Sequence, residues 1–182
     1  MSDLYIVTLS EIKAVLGITD DQDDAQLTLL AQGLQGRFEN FSRRLLKREE
    51  NRVETHDPTA TVFLRLFPVE DIASVKIGDE TYDGSEISWT AERGYVHIIE
   101  LYRVRNPIEI TYTAGYHLPG EPGMFPMPED LRRALLMQLR YEFKNKDTLG
   151  MTSMSAQGHS VNLSPADLLP EVKSILQPYR RY

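Results

Sequence analysis

The chain has 182 residues, 41% of them hydrophobic and 26% charged, which is enough for one ordinary domain, or one domain with an insert, and for a real core. It has no cysteine, which excludes disulfides, thiolate metal sites and cysteine nucleophiles. Its net charge of −7 runs against a general nucleic-acid binder, whose balance is normally basic.

No apolar run approaches the ~20 residues that span a bilayer. The start, "MSDLYIVTLSE", lacks the basic flank and apolar stretch of a signal peptide. No membrane association is expected; manufacture and use in the cytoplasm, or in an assembly formed there, is. Thr8-Leu9-Ser10-Glu11 reads as a capping box, a hydroxyl followed three residues later by a carboxylate. It predicts a helix over 9–16 that Gly17 closes. In "ITDDQDDAQ" the positions of Asp20, Gln22 and Asp24 resemble a calcium loop, but its glycine and distal glutamate are missing. These acids instead suit the positive end of the next helix. Leu27, Leu30, Leu34, Phe38, Phe41 and Leu45 follow helical steps of three and four, one apolar stripe for a core or a neighbouring subunit.

Residues 51–116 change character. "RVETH", "TVFLRLF", "IASVKI", "EISW", "YVHIIEL" and "IEITYT" are short β-rich segments separated by turn signals such as "HDPT" and "YDGS". They predict a small antiparallel sheet. Trp89, Tyr95 and Tyr102 read as half-buried sheet residues. The last segment, "PIEITYTAGY", alternates cleanly and then runs into Pro/Gly-rich chain. Pro128-Glu129-Asp130 opens a helix with proline at its first position, and Leu131, Leu135, Leu139 and Phe143 make its stripe. That helix is expected to stop near Asp147. Residues 148–163 are small, polar and Gly-containing, the pattern of a mobile loop. A final helical segment is expected from Ser164-Pro165-x-Asp167, with a restart at Pro170 and an end at Pro178. The tail is "YRRY".

The fold class is therefore α+β: a helical body of three to four helices with an antiparallel insert between the two long ones. The expected divisions are 1–50, 51–116 and 117–182, the last containing loop 148–163 and tail 178–182. Charge is uneven. Residues 1–36 carry six acids against Lys13, whereas 37–48 carry Arg37, Arg43, Arg44, Lys47 and Arg48 against Glu39. This asymmetry has two readings: solvated helix faces whose charges complement the helix dipoles, or contact between copies, with Asp20, Asp21, Asp23 and Asp24 on one side and Arg43, Arg44, Lys47 and Arg48 on the other.

Signals for chemistry are weak. His56, His97, His117 and His159 show no ligand spacing. There is no phosphate-cradling glycine loop and no nucleophile elbow. No catalytic residue, cofactor or metal is expected.

Several pieces, in order, resemble the head–tail connector (adaptor) proteins of tailed bacteriophages and prophages, in the longer form with a β insert. "LGITDDQDDAQLTLLAQGLQGRFENFSRRLL" is similar to the family's first helical motif, "FPVEDIASVKI" to its proline-led strand and "PIEITYTAGY" to its strand-end motif. "MPEDLRRALLMQLRYEFKNKD" and "LLPEVKSILQPYRRY" are similar to its later helices and tail. Ser42-Arg43-Arg44 departs from the glycine-containing turn of many members. The resemblance implies a non-enzymatic subunit of a homo-oligomeric ring, commonly of twelve copies, at the virion head–tail interface. Such a ring sits beneath the portal protein, extends the DNA channel without sequence-specific binding, and docks the stopper or tail-completion protein. It also implies a portal contact by Tyr179, Arg180, Arg181 and Tyr182. Two rivals stand beside it: a DNA-binding accessory module using Arg37, Arg43, Arg44, Lys47 and Arg48, and a hydrolase with a metal held by scattered His and Asp residues.

Overall fold

A computed structural model of the chain describes residues 4, 6–98, 106–146, 153–156, 159–162 and 167–181. Two compact units emerge: residues 1–42 with 128–182, and residues 43–127. The divisions fall at Ser42/Arg43 and Met127/Pro128, outside the span 51–116 expected for the insert.

The first unit is helical. α1 (Leu9–Leu16) carries the predicted capping box and ends at Gly17 in the left-handed conformation (φ 73°). α2 (Asp24–Ser42) buries Leu27, Ala31, Leu34 and Phe38. Of the predicted stripe, Leu45 lies beyond the helix end and bridges to Leu66. The turn that stops α2 is made by Arg43 at φ 56°, so a tight turn forms here without the glycine that usually supplies it.

α3 (Glu129–Lys144) starts one residue later than predicted, with Pro128 as its N-cap. It buries Leu131, Leu135 and Leu139 as expected, together with two polar residues, Gln138 and Glu142. α4 spans Pro170–Leu176 and opens at the proline, whose fixed φ suits a first turn. Pro178 sits inside a 3-10 turn, Gln177–Tyr179, that follows it. Within the stretch predicted as a loop, Ser153–Ala156 and His159–Asn162 are paired antiparallel strands, with Met154 opposite Val161. Met154 and Ala156 in one strand and Val161 in the other are too weak a period-2 signal to read from sequence.

Among the described residues, the second unit holds two antiparallel sheets where one was expected. β1 (Glu49–His56), β2 (Thr61–Phe63), β3 (Val69–Ile77), β4 (Glu80–Asp83), β5 (Ser88–Thr90), β6 (Tyr95–His97) and β7 (Ile108–Ala114) divide into the orders β1-β7-β3-β4 and β2-β6-β5. Their apolar faces share one core, which includes Val62, Val96, Val75 and Ile110. Trp89 packs against that core, and Tyr95 meets Phe63 edge to face at 4.7 Å. Tyr102 lies outside the described residues. Asn51, at φ 49°, forms the irregularity between Glu49 and Arg52 in β1; Asn tolerates this left-handed bulge position.

"PIEITYTAGY" is the spine of this unit. β7 lies between β1 and β3 and buries Ile108, Ile110, Tyr112 and Ala114 on one face. Gly115 then turns at φ 103°, where a Cβ would lie 2.6 Å from Arg48 Cα. Its amide donates to the Pro68 carbonyl at 2.8 Å, and the next amide, Tyr116, donates to Leu46 at 3.0 Å. The motif's glycine is there because two other backbone segments close upon it.

Candidate interaction surfaces

Each predicted contact residue has a definite environment. In the acidic loop, Lys13 Nζ reaches Asp21 at 2.6 Å and Asp24 at 2.9 Å. The hydrogen bond from Lys13 holds the Asp21 carboxyl below its ordinary range. Asp20 accepts from the Gln22 amide at 3.1 Å, and the Asp23 carbonyl accepts from Leu27 at 2.8 Å. Asp24 lies in the first turn of α2, where an acid suits the positive end of the helix, while Asp20 and Asp21 are exposed and Asp23 is half-buried.

The basic side is different. Arg44 is only 6% exposed. Its guanidinium stacks 3.4 Å from the centre of the Phe67 ring and donates to the Phe67 carbonyl. Arg48 pairs with Glu50 at 2.6 Å and Glu70 at 2.9 Å, and its amide donates to Tyr116. Lys47 is half-buried and bridges to Tyr116 through the backbone. Arg37 pairs with the buried Glu142. Among the four basic residues predicted for contact, only Arg43 is exposed. Residues 44–48 strap the end of β7 in place. Sequence alone gave no sign of this, because the partners Phe67, Glu70 and Tyr116 are distant in the chain.

The tail is folded through Arg181. Tyr179 donates to Asp130 at 2.6 Å, Arg180 lies 5.8 Å from the Phe41 ring centre, and the Arg181 amide donates to Ser42 at 2.8 Å. Tyr182 lies outside the described residues.

Two polar networks brace the units. In the helical unit, Gln138 donates to Glu142 at 2.7 Å and to the Asp167 carbonyl at 3.2 Å, and accepts from the Leu169 amide at 2.8 Å. It thereby fixes the chain entering α4. In the sheet unit, Tyr112 donates to Glu54 at 2.6 Å, and Arg52 reaches the same oxygen at 2.8 Å. Burial pushes the Glu54 carboxyl up, but hydrogen bonds from His56, Tyr112, Arg52 and the Arg65 amide outweigh it and hold the group at about 2. Burial, together with the Glu54 charge, pushes the Tyr112 phenol up.

Two grooves mark the surface of the helical unit. One, of about 360 Å³ between α2 and α3, is lined by Leu29, Leu30, Gly33 and Phe143; Leu29 is 71% exposed. The other lies between α1 and α3 beside Val15, Leu136 and Met137, with arginines at its edge. Sequence reading passed over both. The only available signal was the interval of seven residues between Arg133 and Arg140 around Leu136. Among the described residues, no group of three or more His, Asp or Glu could hold a metal ion, and no helix is long and apolar enough to cross a membrane.

The family described as head completion protein matches residues 5–182. The chain belongs to the head completion protein family. No curated protein matches it. Its fold is similar to a chain from the neck of an empty gene transfer agent (GTA) particle computed with C6 symmetry, at TM-score 0.59 and 13% identity over 100% of this chain and 93% of that one. It is also similar to a chain from the virion of a native GTA particle, at TM-score 0.56 and 16% identity, covering 97% and 90% respectively. As a member of this family, the chain is a structural subunit of the head–tail connection of a phage-type particle, and its place is the head–tail region of the virion. The DNA-binding rival finds no support: Arg37, Arg44 and Arg48 are engaged with Glu142, Phe67 and Glu70 inside their own units.

Proposed function

We propose that copies of this chain form a ring beneath the portal that extends the DNA channel and receives the stopper or tail-completion protein, without enzymatic activity. The observation that carries this reading is the head completion family match across residues 5–182. A count of twelve copies is compatible with the C6 symmetry in which the similar neck was computed. DNA passes through without sequence-specific contact. The acidic loop containing Asp20, Asp21, Asp23 and Asp24 supplies one side of the contact between copies; of the basic set expected opposite it, Arg43, Arg44, Lys47 and Arg48, only Arg43 is exposed, so that set does not supply the other side by itself. Tyr179, Arg180, Arg181 and Tyr182 face the portal. Paired arginines and tyrosines at a chain end suit an acidic groove, because each combines charge with a large contact area.

The test is removal of the gene from a particle-producing genome. Filled heads and separate tails should accumulate, and supplying the protein should join them. Complete particles in its absence would overturn the reading.

A further inference from the structure

The groove between α1 and α3 is basic on an acidic chain. It holds about 270 Å³. Val15, Leu136 and Met137 supply its apolar part, and Arg132, Arg133 and Arg140 outnumber Glu129 at its edge. Arg132 is paired with Glu11 and Glu129, while Arg133 and Arg140 are exposed. Positions 133, 136, 137 and 140 share one helix face.

The acidic loop lies across α1 from this groove. Lys13, which holds Asp21 and Asp24, and Val15, which lines the groove, are two residues apart, roughly 200° around a helix. Glu11, one turn before Val15 and on its side, reaches Arg132, as that geometry requires. One copy therefore carries a basic apolar face and an acidic face on opposite sides of a single short helix. They cannot satisfy each other within a copy. Between copies they can, and opposite placement makes the contact head-to-tail, the type that closes into a ring.

We infer that the groove of one copy receives the acidic loop of the next, with Asp20 and Asp23 approaching Arg133 and Arg140. This rests on the ring reading above and names its subunit contact. Asp21 and Asp24 stay with Lys13. Ile18, half-buried in the free chain, covers Leu136 and Met137. Phosphate would satisfy the arginines but leave this apolar surface wet, so a protein segment with one apolar residue beside its acids fits better than DNA.

The cysteine-free chain makes a clean test. Thr19→Cys and Met137→Cys are introduced together into the full chain, and oxidised particles are run without reductant. The inference predicts dimers, trimers and higher multimers for the double variant and none for either single variant. Particles that retain the protein but yield only monomer would overturn this contact and leave the ring reading intact. A dimer with nothing larger would mean a two-fold contact and would also overturn it. Absence of the wild-type protein from particles would instead sink the ring reading. A second arm avoids dependence on cysteine geometry. The pair Arg133→Glu and Arg140→Glu should lower incorporation about tenfold or more, since like charges face each other across the contact. Adding Asp20→Lys and Asp23→Lys should restore it. Loss that this charge exchange does not rescue, together with loss of DNA retention, would assign the groove to DNA and overturn the inference.

Discussion

The amide of Arg181 donates to the carbonyl of Ser42 at 2.8 Å, tying the end of the chain to the last residue of α2. Ser42 is fully buried, and its hydroxyl donates to Glu39. The segment for which the family resemblance implies a portal contact is therefore also packed on its own unit through Arg181. Removing residues 178–182 should cost about 1–2 kcal/mol, from one backbone hydrogen bond, the Tyr179–Asp130 bond and the Arg180–Phe41 contact. Urea unfolding measures this, and an unchanged midpoint would mean the tail does not pack in solution.

The left-handed Arg43 that follows Ser42 is a strained choice. Arg43→Gly removes the steric cost of φ 56° and should stabilise the protein by about 0.5–1 kcal/mol, because the native conformation favours glycine. Thermal unfolding of the variant checks the sign. A lower midpoint would show that the arginine side chain contributes more than the backbone loses.

The glycine of "PIEITYTAGY" should behave in the opposite way. Gly115→Ala places a methyl against Arg48 Cα at a φ of 103° and should destabilise by about 2 kcal/mol or more. Because Gly115 and Tyr116 hold Pro68 and Leu46 through backbone bonds, amide exchange should quicken there first. Uniform exchange across β7 would argue against a local break.

The Glu54 cluster sets a pH window. Its carboxyl is held at about 2, against an ordinary 4.5. A depressed carboxyl contributes stability above its unfolded pKa and loses it as pH falls through the folded one. The sheet unit should thus weaken between about pH 4.5 and 2. Glu54→Gln should flatten that slope while lowering stability at pH 7. Tyr112→Phe strips a hydrogen bond from the same carboxylate and from the Leu66 amide, with an expected cost of about 1–3 kcal/mol. A variant with the wild-type acid profile would remove Glu54 as its origin.

Local signals explain what was legible in the sequence. The capping box at Thr8, the stop at Gly17, the α3 stripe and the alternation of β7 each depend on residues within one or two turns, and each is present. The pairing of β1 with β7 and of β2 with β6, the Arg44–Phe67 stack and the bond from the Leu169 amide to Gln138 depend on partners more than 20 residues away, and no local period encodes them. The basic run at 43–48 shows the consequence. Its charges read as a surface, yet Phe67, Glu70 and Tyr116 draw most of them inward. The α1–α3 groove went unread for the opposite reason: its arginines look like an ordinary solvated helix face until α1 supplies Val15 beside them.

The most direct test of the connector reading is the native mass of this protein, alone and with the portal protein encoded in the same genome. A discrete portal-bound assembly with about one copy per portal subunit is expected. Failure to bind an intact portal ring across salt conditions would contradict it.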